Sequence, residues 1–229
     1  MTVSATGLRA RPCVLPALAA EAGPGVHRIE PTAREAPTRA ALLQVPACWT
    51  RERAAPLALM LHGSGGDPQQ ALALLQPAAE AAGAIVLAPA SLEYTWDGVL
   101  GSIGPDLEAI DGLLAWVFER YPIDARWLAV GGFSDGASYA LAVALGNGEL
   151  FRHCMALSPG FVPAMEQRGR PSVFISHGTG DRVLPIARCS HRIVPSLQRA
   201  GYDVDYREFD GGHEIPPAIA NAAVRWWLG

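Results

Sequence analysis

A serine held between two glycines, Gly132-Phe133-Ser134-Asp135-Gly136, is the segment of this chain best suited to chemistry. An apolar run at 127–131 precedes it and a helical pattern at 137–145 follows, so it reads as strand, sharp turn, helix. A strand that turns at once into a helix leaves no room for Cβ atoms on either side of its central residue, which is what the glycines supply. Such a turn exposes the serine hydroxyl at the C-terminal edge of a sheet, beside a helix N-terminus that favours negative charge. A hydroxyl becomes a nucleophile only next to a base, and that base needs an orienting partner. Of the six histidines, His213 in Gly211-Gly212-His213-Glu214 lies on a glycine-flanked loop just after the last expected strand, where it can reach a sheet edge. Asp181, in His177-Gly178-Thr179-Gly180-Asp181, follows another expected strand and supplies the carboxylate. Asp205 and Asp210 are weaker candidates, because they share a strand with the base or adjoin it.

A tetrahedral oxyanion needs two backbone N–H donors. One belongs to the residue after the nucleophile, Asp135. The other is expected from His62-Gly63-Ser64-Gly65-Gly66, a glycine-rich loop after the strand at 57–61, with Ser64 as donor and Gly63 or Gly65 as alternatives. This loop lacks the lysine and the spacing of a phosphate-binding loop.

These residues need a frame. Short apolar runs at 57–61, 84–88, 127–131, 154–157, 172–176 and 204–209 alternate with amphipathic segments at 69–82, 106–120, 137–145, 186–200 and 218–228. Runs apolar throughout suit central parallel strands covered on both faces, and the alternation implies a doubly wound α/β fold. Two further strands are expected at 26–29 and 41–45, separated by a turn bearing Pro and Thr. Residues 1–25, rich in Ala, Pro and Gly, are read as an irregular arm ahead of a single domain at 26–229. The chain order Ser, Asp, His is that of α/β-hydrolases.

Taken together, His62-Gly63-Ser64-Gly65-Gly66, Gly132-Phe133-Ser134-Asp135-Gly136, His177-Gly178-Thr179-Gly180-Asp181 and Gly211-Gly212-His213-Glu214 resemble the phospholipase/carboxylesterase family of α/β-hydrolases, from about residue 56 to the C-terminus. The resemblance implies a mostly parallel sheet of about eight strands with helices on both faces. It also implies a serine esterase or thioesterase that needs no cofactor or metal and acts on small or acyl-chain esters. Asp135 and Ala137 depart from the commonest family pattern, and the first places a carboxylate near the site. Only residues 158–170 separate two expected strands where related enzymes often insert a cap, so an open site without a cap domain is expected. His62, Gly63, Trp96 and Phe161 are assigned to substrate binding, the last two within wall segments Tyr94-Thr95-Trp96-Asp97 and Phe161-Val162-Pro163-Ala164-Met165.

Bulk composition narrows the alternatives. With 50% hydrophobic and 17% charged residues the chain is globular. A formal net charge of −4 offers no basic excess for neutralising phosphates, which argues against nucleic acid. No run approaches the roughly 18 apolar residues of a membrane span. None of Cys13, Cys48, Cys154 and Cys189 forms a C-x-x-C pair, so free thiols and a cytoplasmic setting are expected. The arginines and apolar stretch between Arg9 and Ala20, interrupted by Pro16, keep export open as a second reading. A homodimer also stays open. The competing functions are a peptidase or dienelactone-hydrolase-like enzyme on the same fold, an acyltransferase, and a catalytically silent binding module. Ser134 in place of cysteine, the short segment at 158–170 and the complete Ser, Asp, His set argue against them in turn.

Overall fold

A computed structural model describes residues 7–13, 16, 22–30 and 40–229. Part of the expected arm and the turn at 31–39 lie outside the described residues.

Eight strands form one sheet in the order β1-β2-β4-β3-β5-β6-β7-β8. They are β1 (Gly25–Ile29), β2 (Ala41–Val45), β3 (Ala55–Leu61), β4 (Ile85–Pro89), β5 (Ile123–Phe133), β6 (His153–Leu157), β7 (Ser172–Gly178) and β8 (Val204–Phe209). Strand β2 runs antiparallel to both β1 and β4, and every pairing from β4 to β8 is parallel. The helices are α1 (Pro68–Ala81), α2 (Pro105–Arg120), α3 (Asp135–Gly146), α4 (Ser190–Arg199) and α5 (Pro217–Leu228).

Strand alternation explains the two-sided core. Leu57, Leu59 and Leu61 of β3 join α2, α3 and α4 on one face, while Ala58 and Met60 join α1 and α5 on the other. Both faces are dry, so the strands read as continuous apolar runs. Pro68, Pro105 and Pro217 open three of the helices, where a missing N–H costs no hydrogen bond. Asp67 caps α1 by accepting from the Gln70 amide at 2.8 Å.

Two elements differ from the sequence reading. Strand β5 begins at Ile123 because Ile123 pairs with Ala55 across a register shift, and Asp124 and Arg126 in that stretch disguise it as a turn. The segment at 186–200 divides at Cys189 into a 3-10 turn, Ile186–Arg188, and α4. No helix among the described residues is long and apolar enough to cross a membrane. The loop between β6 and β7 carries no helix, which leaves the C-terminal edge of the sheet open there.

Residues 7–13 lie against the domain. The Leu8 amide donates to Asn147 Oδ1 at 2.8 Å, and the Arg9 and Ala10 amides donate to Asp111 Oδ1 at 2.7 and 2.8 Å.

Candidate active site

The turn after β5 places Ser134 at φ 59° and ψ −120°, a left-handed conformation that is uncommon for a residue with a side chain. The flanking glycines make it attainable. A Cβ on Gly132 would come within 2.5 Å of the Gly136 backbone, and one on Gly136 would collide with the carbonyl oxygens of Leu61 and His62. Backbone cannot retreat as a flexible side chain can. Gly136→Ala is therefore expected to lose several kcal/mol of stability, beyond the ~1–3 kcal/mol usual for overpacking. A thermal melt unchanged from wild type would contradict this.

Three side chains from three loops meet at the turn. His213, after β8, places Nε2 2.9 Å from Ser134 Oγ and Nδ1 2.6 Å from Asp181 Oδ2. The other carboxylate oxygen, Oδ1, accepts from the amides of Val183 at 2.9 Å and Leu184 at 2.8 Å. Burial raises the Asp181 pKa, but the His213 ring and these two amides outweigh it, so the carboxyl titrates below its ordinary range. The loops are joined to each other as well: Thr179 N–H donates to the Phe209 carbonyl at 2.9 Å and Gly180 N–H to the Gly211 carbonyl at 2.9 Å. A Cβ on Gly178 would overlap the Gly212 carbonyl, so this join requires glycine. The His213 ring packs against Phe133 with centroids 4.6 Å apart.

The loop after β3 completes the arrangement. The Gly65 amide is taken by the Tyr94 carbonyl at 2.8 Å and the Gly66 amide by the Gly63 carbonyl at 2.9 Å. The amides of Ser64 and Asp135 have no acceptor among the described residues. The Gly63 carbonyl also accepts from His62 Nδ1 at 2.8 Å. Fixing that carbonyl turns the Ser64 N–H, on the far side of the same trans peptide, the opposite way. Ser64 lines the same cleft as Ser134, and Asp135 directly follows Ser134 in the chain, which makes these two amides the candidates for holding an oxyanion.

An Esterase family matches residues 109–190, the stretch that carries most of α2, the Ser134 turn and Asp181. The chain is similar in fold to known esterases and serine hydrolases. Its fold is shared with esterase PE8, at 23% identity over 81% of this chain and 96% of that one, TM-score 0.66. FphF, a fluorophosphonate-binding serine hydrolase of Staphylococcus aureus, is 14% identical over 90% of this chain and all (100%) of that one, TM-score 0.70. A carboxylesterase of Bacillus cereus is 23% identical over 82% of this chain and 92% of that one, TM-score 0.61. No curated protein matches the sequence.

The substrate-binding expectations fare unevenly. Gly63 lines the cleft beside Ser134. Trp96 does not: it is fully buried, donates its indole N–H to the His62 carbonyl at 2.9 Å and stacks on Tyr139. It supports the glycine loop from beneath. His62 borders the cleft but offers substrate no free polar atom, because Nδ1 donates to Gly63 and Nε2 accepts from the Ser91 amide at 3.0 Å. Phe161 is exposed on the β6–β7 loop, outside the cleft lining. The sequence reading missed Gln70, Ala71 and Leu74 of α1, together with Phe133 and Val183, as parts of the lining. A usable signal was present: 70, 71 and 74 share one helical face immediately after the glycine loop. Asp135 turns its carboxylate toward Thr95, whose hydroxyl donates to Oδ2 at 2.9 Å.

Burial lowers the pKa values of His62, His153 and His177, and Gly63 and Leu184 carbonyls only partly offset this for the first and last. Above the ordinary imidazole pKa of about 6.5 these rings are neutral folded or unfolded. Below it the unfolded chain takes up protons that the fold resists, so stability falls as pH falls, by at most ~1.4 kcal/mol per pH unit per ring. Asp106, whose pKa burial raises, opposes the trend only nearer the carboxylate range. Urea midpoints are expected to drop from pH 7 toward pH 5, and a flat profile there would contradict the assignment of neutral buried rings.

Proposed function

We propose that this chain is a serine hydrolase that cleaves carboxylic esters through an acyl-enzyme. The observation that carries the proposal is the continuous relay from Asp181 through His213 to Ser134, with contacts of 2.6 and 2.9 Å. The Esterase match and the esterase and hydrolase neighbours support the same reaction class.

Ser134 Oγ attacks the ester carbonyl while His213 Nε2 takes its proton. Asp181 holds the Nδ1–H tautomer and stabilises the imidazolium that forms. The carbonyl oxygen, now an oxyanion, rests on the Ser64 and Asp135 amides, each donor of this kind contributing ~2.7–4 kcal/mol in other enzymes. His213 returns the proton to the departing alcohol, and water repeats the sequence to release the acid. A thioester would follow the same path with a thiol leaving.

The cleft encloses about 390 Å³, at the small end of ligand sites, and its walls are mainly apolar. This favours esters with small or medium apolar groups at the reacting end. Fluorophosphonate labelling, with a series of p-nitrophenyl esters from acetate to palmitate, tests the proposal. The expected result is covalent labelling of Ser134 and fastest turnover in the short to medium part of the series. An unlabelled protein that turns over none of the esters would instead favour a silent binding module.

A further inference from the structure

The relay leaves unused one fully buried histidine that touches it. His177, near the end of β7, has a side chain with no solvent exposure, as does Asp181, and its Nε2 lies 3.3 Å from Asp181 Oδ2. That is the same oxygen that receives His213 Nδ1–H. The hydrogen bonds around the ring fix where its proton sits. Nε2 lies 2.8 Å from the Leu184 carbonyl, which can only accept, so Nε2 carries the hydrogen. Nδ1 is then an acceptor, 2.7 Å from the Ser190 hydroxyl at the start of α4. The N–H that closes the 178–184 loop thus also faces the catalytic carboxylate.

We infer that His177 is a positioning residue that shares its Nε2–H between the Leu184 carbonyl and Asp181 Oδ2, and by drawing on that oxygen keeps His213 in its proton-accepting form. The inference rests on the serine-hydrolase reading. A carboxylate oxygen with a second donor has less negative charge to offer the first. Asp181 then holds the neutral His213 ring in the correct tautomer without over-stabilising its protonated form. Removing the second donor leaves Asp181 a stronger partner for the charged His213 ring that forms during catalysis.

Glu208, opposite His177 in the β7–β8 register, is engaged by His191 Nε2 at 2.8 Å. Cys189, just before α4, is a buried thiol whose pKa burial raises, with Asp181 adding to the effect while Arg192 and Arg188 oppose it. Burial keeps His177 itself neutral.

The test compares His177→Leu, which removes the donor, with His177→Gln, which restores an N–H. For His177→Leu the acidic limb of the kcat/KM profile is expected to move up by about 0.5 pH unit, a fraction of a hydrogen bond to an ion, given the 3.3 Å shared contact. The rate deficit is largest on the acidic limb, about threefold for a shift of that size, and disappears on the alkaline side, and His177→Gln returns the limb toward wild type. A role in loop structure alone would lower the rate equally at all pH values, and that outcome overturns the inference. The low-field proton resonance of the His213–Asp181 hydrogen bond provides a readout that needs no substrate. It is expected to move further downfield in His177→Leu, and an unmoved resonance in a folded variant also overturns the inference. If the chain hydrolysed no ester, the resonance would still report on His177, so failure of the function and failure of the inference are distinguishable.

Discussion

Replacing Ser134 with alanine is expected to lower kcat by about a million-fold while leaving KM within a few-fold of wild type. This is the loss seen when the nucleophile of such a relay is removed elsewhere, and the remaining acceleration comes from the oxyanion donors and binding. The contrast between the two constants follows from the site's geometry. The Ser64 and Asp135 amides and the apolar lining of Gly63, Leu74 and Phe133 do not depend on the hydroxyl. Stability is expected to stay near wild type, because alanine and serine meet the same steric limits at φ 59°. Fluorophosphonate labelling should vanish with the activity. A variant that kept even a hundredth of its activity would exclude Ser134 as the attacking atom.

The frame around that serine was legible because a two-sided parallel sheet leaves a strong mark on sequence. Leu57 to Leu61 must satisfy both faces, so that strand contains no polar residue to blur it. The strand–turn–helix at 132–136 was readable for a related reason: Leu61, His62 and Gly136 approach so closely that only glycine fits. The site's walls left a weaker trace. Trp96 and Phe161 sit on loops, where sequence tells that an aromatic is near the edge but not whether it faces cleft, core or solvent. Trp96 turned inward because its indole N–H finds the His62 carbonyl there. Phe161 stayed outside, on a backbone whose amide, with that of Gly160, approaches the Ser138 hydroxyl at 3.4 and 3.0 Å. Val183 lines the cleft because two amides of its loop, its own and that of Leu184, fold onto Asp181. Such contacts join residues far apart in the chain or turn a loop through one bond, and periodicity carries no record of them.

The divided helix at Cys189 shows the same limit at the level of an element. Residues 186–200 have a continuous amphipathic pattern, yet the backbone at Cys189 takes φ −113° and ψ −100°, and the helix restarts at Ser190. The restart puts the Ser190 hydroxyl against His177 Nδ1. An unbroken helix would continue the pattern of apolar residues but has no reason to place a hydroxyl there. The interruption is thus tied to the side chain that donates to His177 Nδ1.

Asp181→Asn is expected to preserve the fold and reduce kcat by about ten-thousand-fold, the cost of the wrong histidine tautomer in a comparable relay. The reason lies in how the two carboxylate oxygens are occupied. Oδ1 accepts from two backbone amides, so an asparagine at this position keeps its carbonyl oxygen there. Its NH2 group then replaces Oδ2 and points a donor at His213 Nδ1, 2.6 Å away in the wild type. The ring can meet a donor only with an unprotonated Nδ1, which moves its hydrogen to Nε2, facing Ser134 Oγ. A base that already carries a proton toward the nucleophile cannot take another. Asp181→Ala lacks that opposing donor and leaves the ring free to adopt either tautomer, so it is expected to retain more activity than Asp181→Asn despite removing more atoms. Kinetics on both variants, with melting temperatures to confirm that each is folded, decide the point. Equal activities would mean that Asp181 acts through its charge alone, and an active Asp181→Asn would transfer the role of orienting acid to another carboxylate.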